Sequence, residues 1–494
     1  MIDIDKEIKL KKSINRLEKR EVKEIDTSLL NKNYKIDYKN SLNEEQLKAL
    51  TSVNGQYLVI AGAGSGKTRT IIYRTAFLLE IGVKEENILM LTFTRKAGNE
   101  MKSRLEALLE KNVKIEIGTF HSFCLKLILK HKNLFDLENI TIIDNKEKII
   151  EKIIKKNSIN LTLLEDKILN IIEALERGKN LNEISFLDDK EKSENIDKIN
   201  FLLKKYIDYK KENNLVDFND LIDMVLLKLK TNYNFKIYLQ EKYKYIVIDE
   251  YQDTDSKQRD ILKMLCGENG NLMVVGDDYQ SIYGFRGAEF ENILRFNDDF
   301  PNSFLIKLEK NYRSSKEIVS YCNRIASKFY LKYNKISKAI EKSGNKPEIL
   351  KFKNEDIQNR FIVEKIKKFY QEGISYDEIA VIYRDRYSIK KLETVLYENN
   401  IPYRKNTENK LDKDEKISLI SVHSSKGLEW EIVFIPNLLE GIFPSNLSEQ
   451  NLEEEKRLYY VACSRCKEFL YLLYPEHFYE KLGYFDKKSS FLKM

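Results

Sequence analysis

The residues Gly62-Ala63-Gly64-Ser65-Gly66-Lys67-Thr68 have the types and spacing of a loop that cradles phosphate. Glycines let successive backbone N–H groups converge on phosphate oxygens. The flanking text, YLVIA before and TRTIIYRTAFLLE after, places the loop between a strand and a helix N-terminus. There Lys67 reaches the β- and γ-phosphates and Thr68 ligates Mg²⁺. A second apolar run ends in Val247-Ile248-Asp249-Glu250, two carboxylates at a strand tip. Asp249 suits Mg²⁺, usually through water, and Glu250 suits orienting or deprotonating the attacking water. The pair of segments points to hydrolysis of ATP or GTP, and no guanine-reading N-K-x-D follows a strand. Cys463 and Cys466 form a lone C-x-x-C with no second pair, so they read as two small helix residues and not as a metal site. Five cysteines in all fit reduced thiols.

The elements that must carry these residues are legible as alternation. YLVIA, ILMLTF and KIEIG are each followed by an amphipathic stretch, the pattern of a parallel α/β sheet. Between about Leu125 and Thr231 strands vanish, and apolar residues recur every three to four positions, predicting a helical insertion. Strands resume at YIVID, LMVVG and FLIKL. A second set, EILKF, IAVIY, ISLISV, EIVFI and FLYLLY, predicts a second α/β domain. Residues 1–40, Lys- and Glu-rich, predict a solvated helical extension without core residues. The 494 residues, 42% apolar and 33% charged, suit a packed chain of several domains. A net charge of +7 is too dilute to identify a polyanionic partner. No apolar run is long enough for a membrane span, and the amino terminus lacks the apolar core of a secretory signal, so a cytoplasmic location is expected.

Further motifs occur in fixed order. They are Leu42-Asn43-Glu44-Glu45-Gln46, Thr92-Phe93-Thr94-Arg95-Lys96-Ala97, Gly118-Thr119-Phe120-His121-Ser122, Asp249-Glu250-Tyr251-Gln252-Asp253, and the stretch VGDDYQSIYGFRGA from Val275. Then come Asn311-Tyr312-Arg313-Ser314-Ser315, the stretch VHSSKGLEW from Val422, and EEEKRLYYVACSR ending at Arg465. In these residues the chain resembles the superfamily 1A DNA helicases of the UvrD/Rep/PcrA type, from about Ser41 onward.

The resemblance implies two RecA-like parallel-sheet domains with a helical insertion in the first. Domain 1A would take residues 41–125 and 232–309, insertion 1B residues 126–231, and domain 2A residues 310–494. It places Gln46, Ala61, Gly62, Ala63, Gly64, Ser65, Gly66, Lys67, Thr68, Arg69, Arg313, Glu429 and Arg465 at the nucleotide. Gln280 would sense the γ-phosphate, and Arg313 and Arg465, both assigned to the second domain, would reach it when the cleft closes. Phe93, Thr94, Lys96, Thr119, His121, Tyr283, Phe285, Arg286, His423 and Ser424 would meet single-stranded DNA, by stacking and backbone contacts. Phe285 stands where the family commonly has tryptophan, and a phenyl ring still stacks, with less area. The implied activity is an ATP-dependent 3′ to 5′ translocase and helicase acting on single strands and 3′-tailed duplexes. The alternative is a DNA-activated ATPase switch that recruits or licenses a nuclease partner. Two departures stand out. Where the family carries a further domain, 2B, only residues 405–415 intervene, as a short linker. No tail or nuclease domain is expected after Ser489 to Met494. Both resemble trimmed, helicase IV-like members.

Overall fold

The structure is a computed structural model, and it describes residues 4–135, 141–143, 145–163, 165–176, 187, 189–284, 287–340, 343–405, 415–445, 452–480 and 483–494. Two six-stranded sheets organise it. The first contains β1 (Gln56–Ala61), β2 (Ile88–Thr92), β3 (Glu116–Thr119), β4 (Tyr245–Ile248), β5 (Asn271–Gly276) and β6 (Phe304–Leu308) in the order β3-β2-β4-β5-β1-β6. Every pairing is parallel. Side chains alternate across a strand, so Leu58 and Ile60 enter one core while Val59 and Ala61 enter another on the opposite face. This burial on both faces is why the strands read as unbroken apolar runs.

The second sheet holds β7 (Glu348–Phe352), β8 (Ile379–Tyr383), β9 (Tyr403–Lys405), β10 (Ile417–Ser421), β11 (Trp430–Ile435) and β12 (Cys466–Pro475), in the order β7-β12-β11-β8-β10-β9 and again all parallel. It too is covered by a core on each face. The expected pair of parallel α/β units is therefore present. In each open parallel sheet the loops at the carboxyl ends of the strands share one edge, where α/β proteins bind ligands.

Four expectations need correction. The amino-terminal segment is no purely solvated extension: α1 (Ile4–Glu18) buries Leu10, Ile14 and Leu17 in the first domain's core. These lie four and three residues apart on one face, and the charges occupy the other. Residues 20–22 then pair with β6, through Val22 N–H to Leu305 O at 2.8 Å and Leu305 N–H to Arg20 O at 3.1 Å.

The insertion is also smaller than expected, and it holds strands. A parallel pair of two-residue strands, Thr141–Ile142 and Leu215–Val216, closes its base. Its own core comprises Ile143, Ile150, Ile153, Ile168, Ile172, Leu202 and Tyr206. The bordering helices, Phe120–Lys130 and Phe218–Thr231, send Leu127, Ile128, Leu221 and Val225 into the first domain's core instead. Helical spacing is identical in both settings, so it does not say which core a helix joins. Cys463 does end a helix, but Cys466 opens β12. All five cysteines are free and buried. Lys405 belongs to β9 and pairs with Leu419, while residues 406–414 lie outside the described residues.

Candidate active site

The phosphate loop runs from β1 into the helix Lys67–Glu80, here α2. Gly66 stands at the N-cap in the left-handed region (φ 80°), provides no side-chain cap, and no acidic residue occupies the first turn. The N–H groups at this end are left for an anion and the helix dipole favours one. Helix α3 (Arg95–Leu109) and helix α4 (Phe120–Lys130), by contrast, are capped by the hydroxyls of Thr94 and Thr119. Gly64 also has positive φ, and a Cβ there would lie 2.7 Å from the Cβ of Arg313. The loop is braced by Ser65 Oγ donating to Gly62 O at 2.7 Å and Asn311 Nδ2 donating to Ala63 O at 2.7 Å. Gln46 is buried, with Nε2 donating to Ser65 O at 3.2 Å and Oε1 accepting from Asn43 N–H at 3.2 Å. Arg69 extends from the first turn to Ser41 O at 2.8 Å. Ala61 is the buried last residue of β1, and Lys67 and Thr68 are half-buried.

Asp249 and Glu250 follow β4, with Glu250 at φ 53° and its N–H donating to Asp249 Oδ1 at 2.9 Å. Burial, and next the neighbouring Glu250, push the Asp249 carboxyl up to about 7. Burial acts on Glu250 too, but Lys67 and Lys426 outweigh it and hold that carboxyl below its usual range. Lys426 reaches in from the loop after β10: its Nζ lies 2.5 Å from Asp253 Oδ2, 2.8 Å from Gln280 O and 3.8 Å from Glu250 Oε2. Gln252 donates to Glu250 and accepts from Asp277 N–H at 3.0 Å. The sequence reading passed over Lys426, Asn311, Gln252 and Asp253 as site residues. The first sits in the quoted VHSSKGLEW stretch, and its partners Asp253 and Gln280 lie far away in the chain, so its types and spacing alone do not mark it.

Gln280 and Arg465 meet across the cleft. Gln280 Oε1 accepts from Arg465 Nη2 at 3.1 Å, and its Nε2 donates to Asp277 Oδ2 at 2.6 Å. Arg465 is 1% exposed and otherwise donates to Val461 O, Leu428 O and Ser464 Oγ, with no carboxylate partner among the described residues. Burial, and then the nearby Arg313, push its guanidinium down to about 9. Arg313 stands between the two sheets. Tyr312 N–H donates to Gly64 O at 2.9 Å, while Ser314 Oγ donates to Cys466 O at 2.6 Å and Ser315 N–H to Lys467 O at 2.9 Å, so the arginine is tied to the loop on one side and to β12 on the other. Its Nε pairs with Glu429 Oε2 at 2.5 Å and its Nη1 donates to Ser464 O at 3.3 Å.

The residues assigned to DNA fall nearby. Phe93 and Tyr283 stack, ring centroids 5.1 Å apart and planes within 18°. Tyr283 Oη donates to His423 O at 3.2 Å, and the Lys426 ammonium sits 4.9 Å from the Tyr283 ring centre. A small cleft lined by Phe93, Thr119, His121, Asp249, Glu250 and Thr254 adjoins the stack. Thr94 and Lys96 are exposed, and the Thr94 hydroxyl caps its helix. Thr119 is 7% exposed, so its hydroxyl serves the fold. His121 packs edge-on against Phe218 at 5.7 Å, and Ser424 is held by Ser421. Phe285 and Arg286 lie outside the described residues.

Two family profiles match: the UvrD/REP helicase N-terminal domain over residues 42–301, more than half of the chain, and the UvrD-like helicase C-terminal domain over residues 306–412 and 404–477. The chain belongs to the UvrD/REP helicase family. Among its relatives, the ATP-dependent DNA helicase Rep of Buchnera aphidicola subsp. Acyrthosiphon pisum is 39% identical over 372 residues, 74% of this chain and 57% of that protein. The ATP-dependent DNA helicase PcrA of Staphylococcus epidermidis is 35% identical over 376 residues, and that of Staphylococcus aureus 34% over 372, each covering 74% of this chain and 50% of the relative. The chain thus spans about half the length of the curated relatives it matches. In this chain the helix α1 lies ahead of the matched residues. No helix among the described residues is long and apolar enough to cross a membrane.

Proposed function

We propose that this protein hydrolyses ATP in the cleft between its two sheets and uses the cycle to move 3′ to 5′ along single-stranded DNA. The observation that carries the reading is an uncapped helix N-terminus with Arg313 against its loop at Gly64 and Arg465 buried on Gln280 with neutral partners only. A triphosphate offers the missing negative charge, and its γ-phosphoryl transition state spreads charge toward such cations. Glu250, kept ionised by Lys67 and Lys426, is suited to take a proton from water. Because Arg465, Lys426 and Glu429 flank strands of the second sheet while the loop and Glu250 belong to the first, any change in the nucleotide bears on how the sheets sit together.

The donor set fits Mg²⁺. Asp249, buried and crowded by Glu250, gains from a dication, and the Thr68 hydroxyl stands at the start of the loop helix. Such an ion is commonly held by one or two protein ligands together with phosphate and water. When bound, it would neutralise charge on the phosphates. The Phe93–Tyr283 stack beside this cleft supports a base-stacking track. Eleven residues separate Lys405 from Ile417, too few for a folded domain, so a separate duplex-gripping domain at that point is not part of the proposal. We expect short duplexes to be separated better than long ones.

ATP turnover with and without single-stranded DNA, alongside strand separation on 3′-tailed and 5′-tailed duplexes, tests the reading. Turnover raised by single strands with a preference for 3′ tails supports it. DNA-independent turnover, or a 5′ preference, overturns it.

A further inference from the structure

Lys335 lies outside every motif quoted above, yet its side chain is 1% exposed at the heart of the cleft. Its Nζ is 2.6 Å from Asp277 Oδ1 and also bonds Asp278 Oδ1, and it sits 3.6 Å from the centre of the Tyr279 ring. The hydroxyl of Tyr279 donates back to Tyr333 O at 3.1 Å and Lys335 O at 3.3 Å, while Tyr333 N–H donates to Asp278 Oδ2 at 2.8 Å. The segment bearing Lys335 is held from outside by α1, whose Glu18 accepts from Asn334 N–H at 2.7 Å.

Gln280 connects this cluster to Arg465. A side-chain amide has a donor end and an acceptor end. With Nε2 on Asp277 at 2.6 Å, Oε1 is the end that faces Arg465, at 3.1 Å. Both Asp277 oxygens meet donors only, Oδ1 the Lys335 ammonium and Tyr279 N–H at 3.0 Å and Oδ2 the Gln280 amide, the pattern of an ionised carboxylate, although it is 0% exposed and adjoins the equally buried Asp278. Lys67, Arg465, Glu250 and Asp278 are the other charges around it, along with the phenols of Tyr279 and Tyr460. Lys335 is the cation that touches it among the described residues. Without Lys335, two adjacent buried carboxylates must take up a proton. A protonated Asp277 would offer O–H to Gln280, whose amide would turn over and set N–H groups against the guanidinium.

We propose that Lys335 is a positioning residue for hydrolysis: through Asp277 it fixes which end of the Gln280 amide faces Arg465, and so where Arg465 stands relative to the phosphate loop. This rests on the ATPase reading given above. The distance from Lys335 to Arg465 is spanned by two side chains, so the lysine acts on the reaction without meeting the nucleotide.

The test compares the full chain with Lys335→Met, Lys335→Arg, Gln280→Ala and the double variant Lys335→Met/Gln280→Ala, reading kcat and KM for ATP with single-stranded DNA present. Lys335→Met should lose about 10- to 100-fold in kcat, the scale of a misplaced catalytic group, with KM changed less than about threefold. Lys335→Arg, which keeps a cation, should recover most of the loss. The double variant should be no slower than the slower single one, because both act through one amide. If Lys335→Met does not fold, Lys335→Met/Asp278→Asn leaves one buried carboxylate in place of two and is read the same way. A wild-type kcat in the Met variant, a loss confined to KM, failure of arginine to rescue, or multiplying losses in the double variant each overturns the proposal. Absence of turnover in the unmutated chain overturns the ATPase reading instead.

Discussion

In the insertion, Lys210 lies 3.1 Å from Glu176 and 2.9 Å from both Asp217 and Asp220, and Lys146 adds a second cation on Glu176, whereas in the cleft Arg465 meets neutral acceptors alone. The insertion cluster closes on itself. Tyr206 Oη donates to Asp217 at 3.0 Å, and Asp220 accepts from Asp217 N–H at 2.8 Å, capping the helix Phe218–Thr231. Burial opposes every charge there and pushes the Glu176 and Asp220 carboxyls up, but Glu176 and Asp217 hold the Lys210 ammonium firmly charged, and Lys146 and Lys210 draw the Asp217 carboxyl down. In the cleft the outcome is divided: burial draws Asp249 up to about 7 and Arg465 down to about 9, while Lys335 and Lys426, paired with acids, are held charged. Most charge in both regions is paired locally. Arg465 is the exception, held in place by neutral groups and short of counter-ions.

Arg465→Ala should therefore show the largest effect on turnover and little on stability: ATP hydrolysis falling by roughly 10³ to 10⁵, the span measured where such an arginine acts at the γ-phosphate. Its melting temperature should stay level or rise, because a buried cation without an anion is removed. Calorimetry beside steady-state kinetics checks both. A melting temperature that drops while turnover holds would place Arg465 with the structural charges. Lys210→Met should behave in the opposite sense, losing about 3 to 5 kcal/mol of stability as the buried Asp217 and the half-buried Glu176 and Asp220 lose their shared cation, with basal ATPase little changed. Denaturant unfolding reads the first quantity, and an unchanged midpoint would break the contrast.

Within the cleft, Lys67→Ala and Glu250→Gln should each lower turnover by at least about 10², the range for loss of a general base. Glu250→Gln should retain ATP affinity in a fluorescent-nucleotide titration, while Lys67→Ala loses part of it. Wild-type turnover in Glu250→Gln would move the base elsewhere. Smallest of all, Phe93→Ala and Tyr283→Ala should each weaken single-strand binding by about 1 to 3 kcal/mol and leave DNA-free ATPase nearly intact. Unaltered DNA affinity in both would mean that these two rings serve packing alone.

The strands and the phosphate loop were legible in the sequence because burial on both faces writes an unbroken apolar run, and because few contexts place Gly-Lys-Thr between such a run and a helix. The seat of α1 was not. Leu10, Ile14 and Leu17 are three apolar letters among lysines, and one buried face of a helix needs no more. Lys335 was hidden for another reason: a lysine's surroundings depend on residues far away in the chain, here Asp277 and Asp278, and no local pattern marks it. Arg313 and Arg465 were singled out by resemblance, but that one would stand between the loop and β12 and the other be buried against Gln280 is tertiary information.

The pairing of residues 20–22 with β6 bears on how the molecule can be dissected. β6 is the outer strand of the first sheet, and its free edge would otherwise expose a row of unpaired N–H and C=O groups that invites another chain. Arg20 and Val22 occupy part of that edge at Leu305. A fragment begun at residue 42, where the family profile starts, would uncover the edge, strip Leu10, Ile14 and Leu17 from the core they fill, and release the Glu18 hold on Asn334 next to Lys335. Poor solubility in such a fragment would then report a missing edge cover and not a defective catalytic domain.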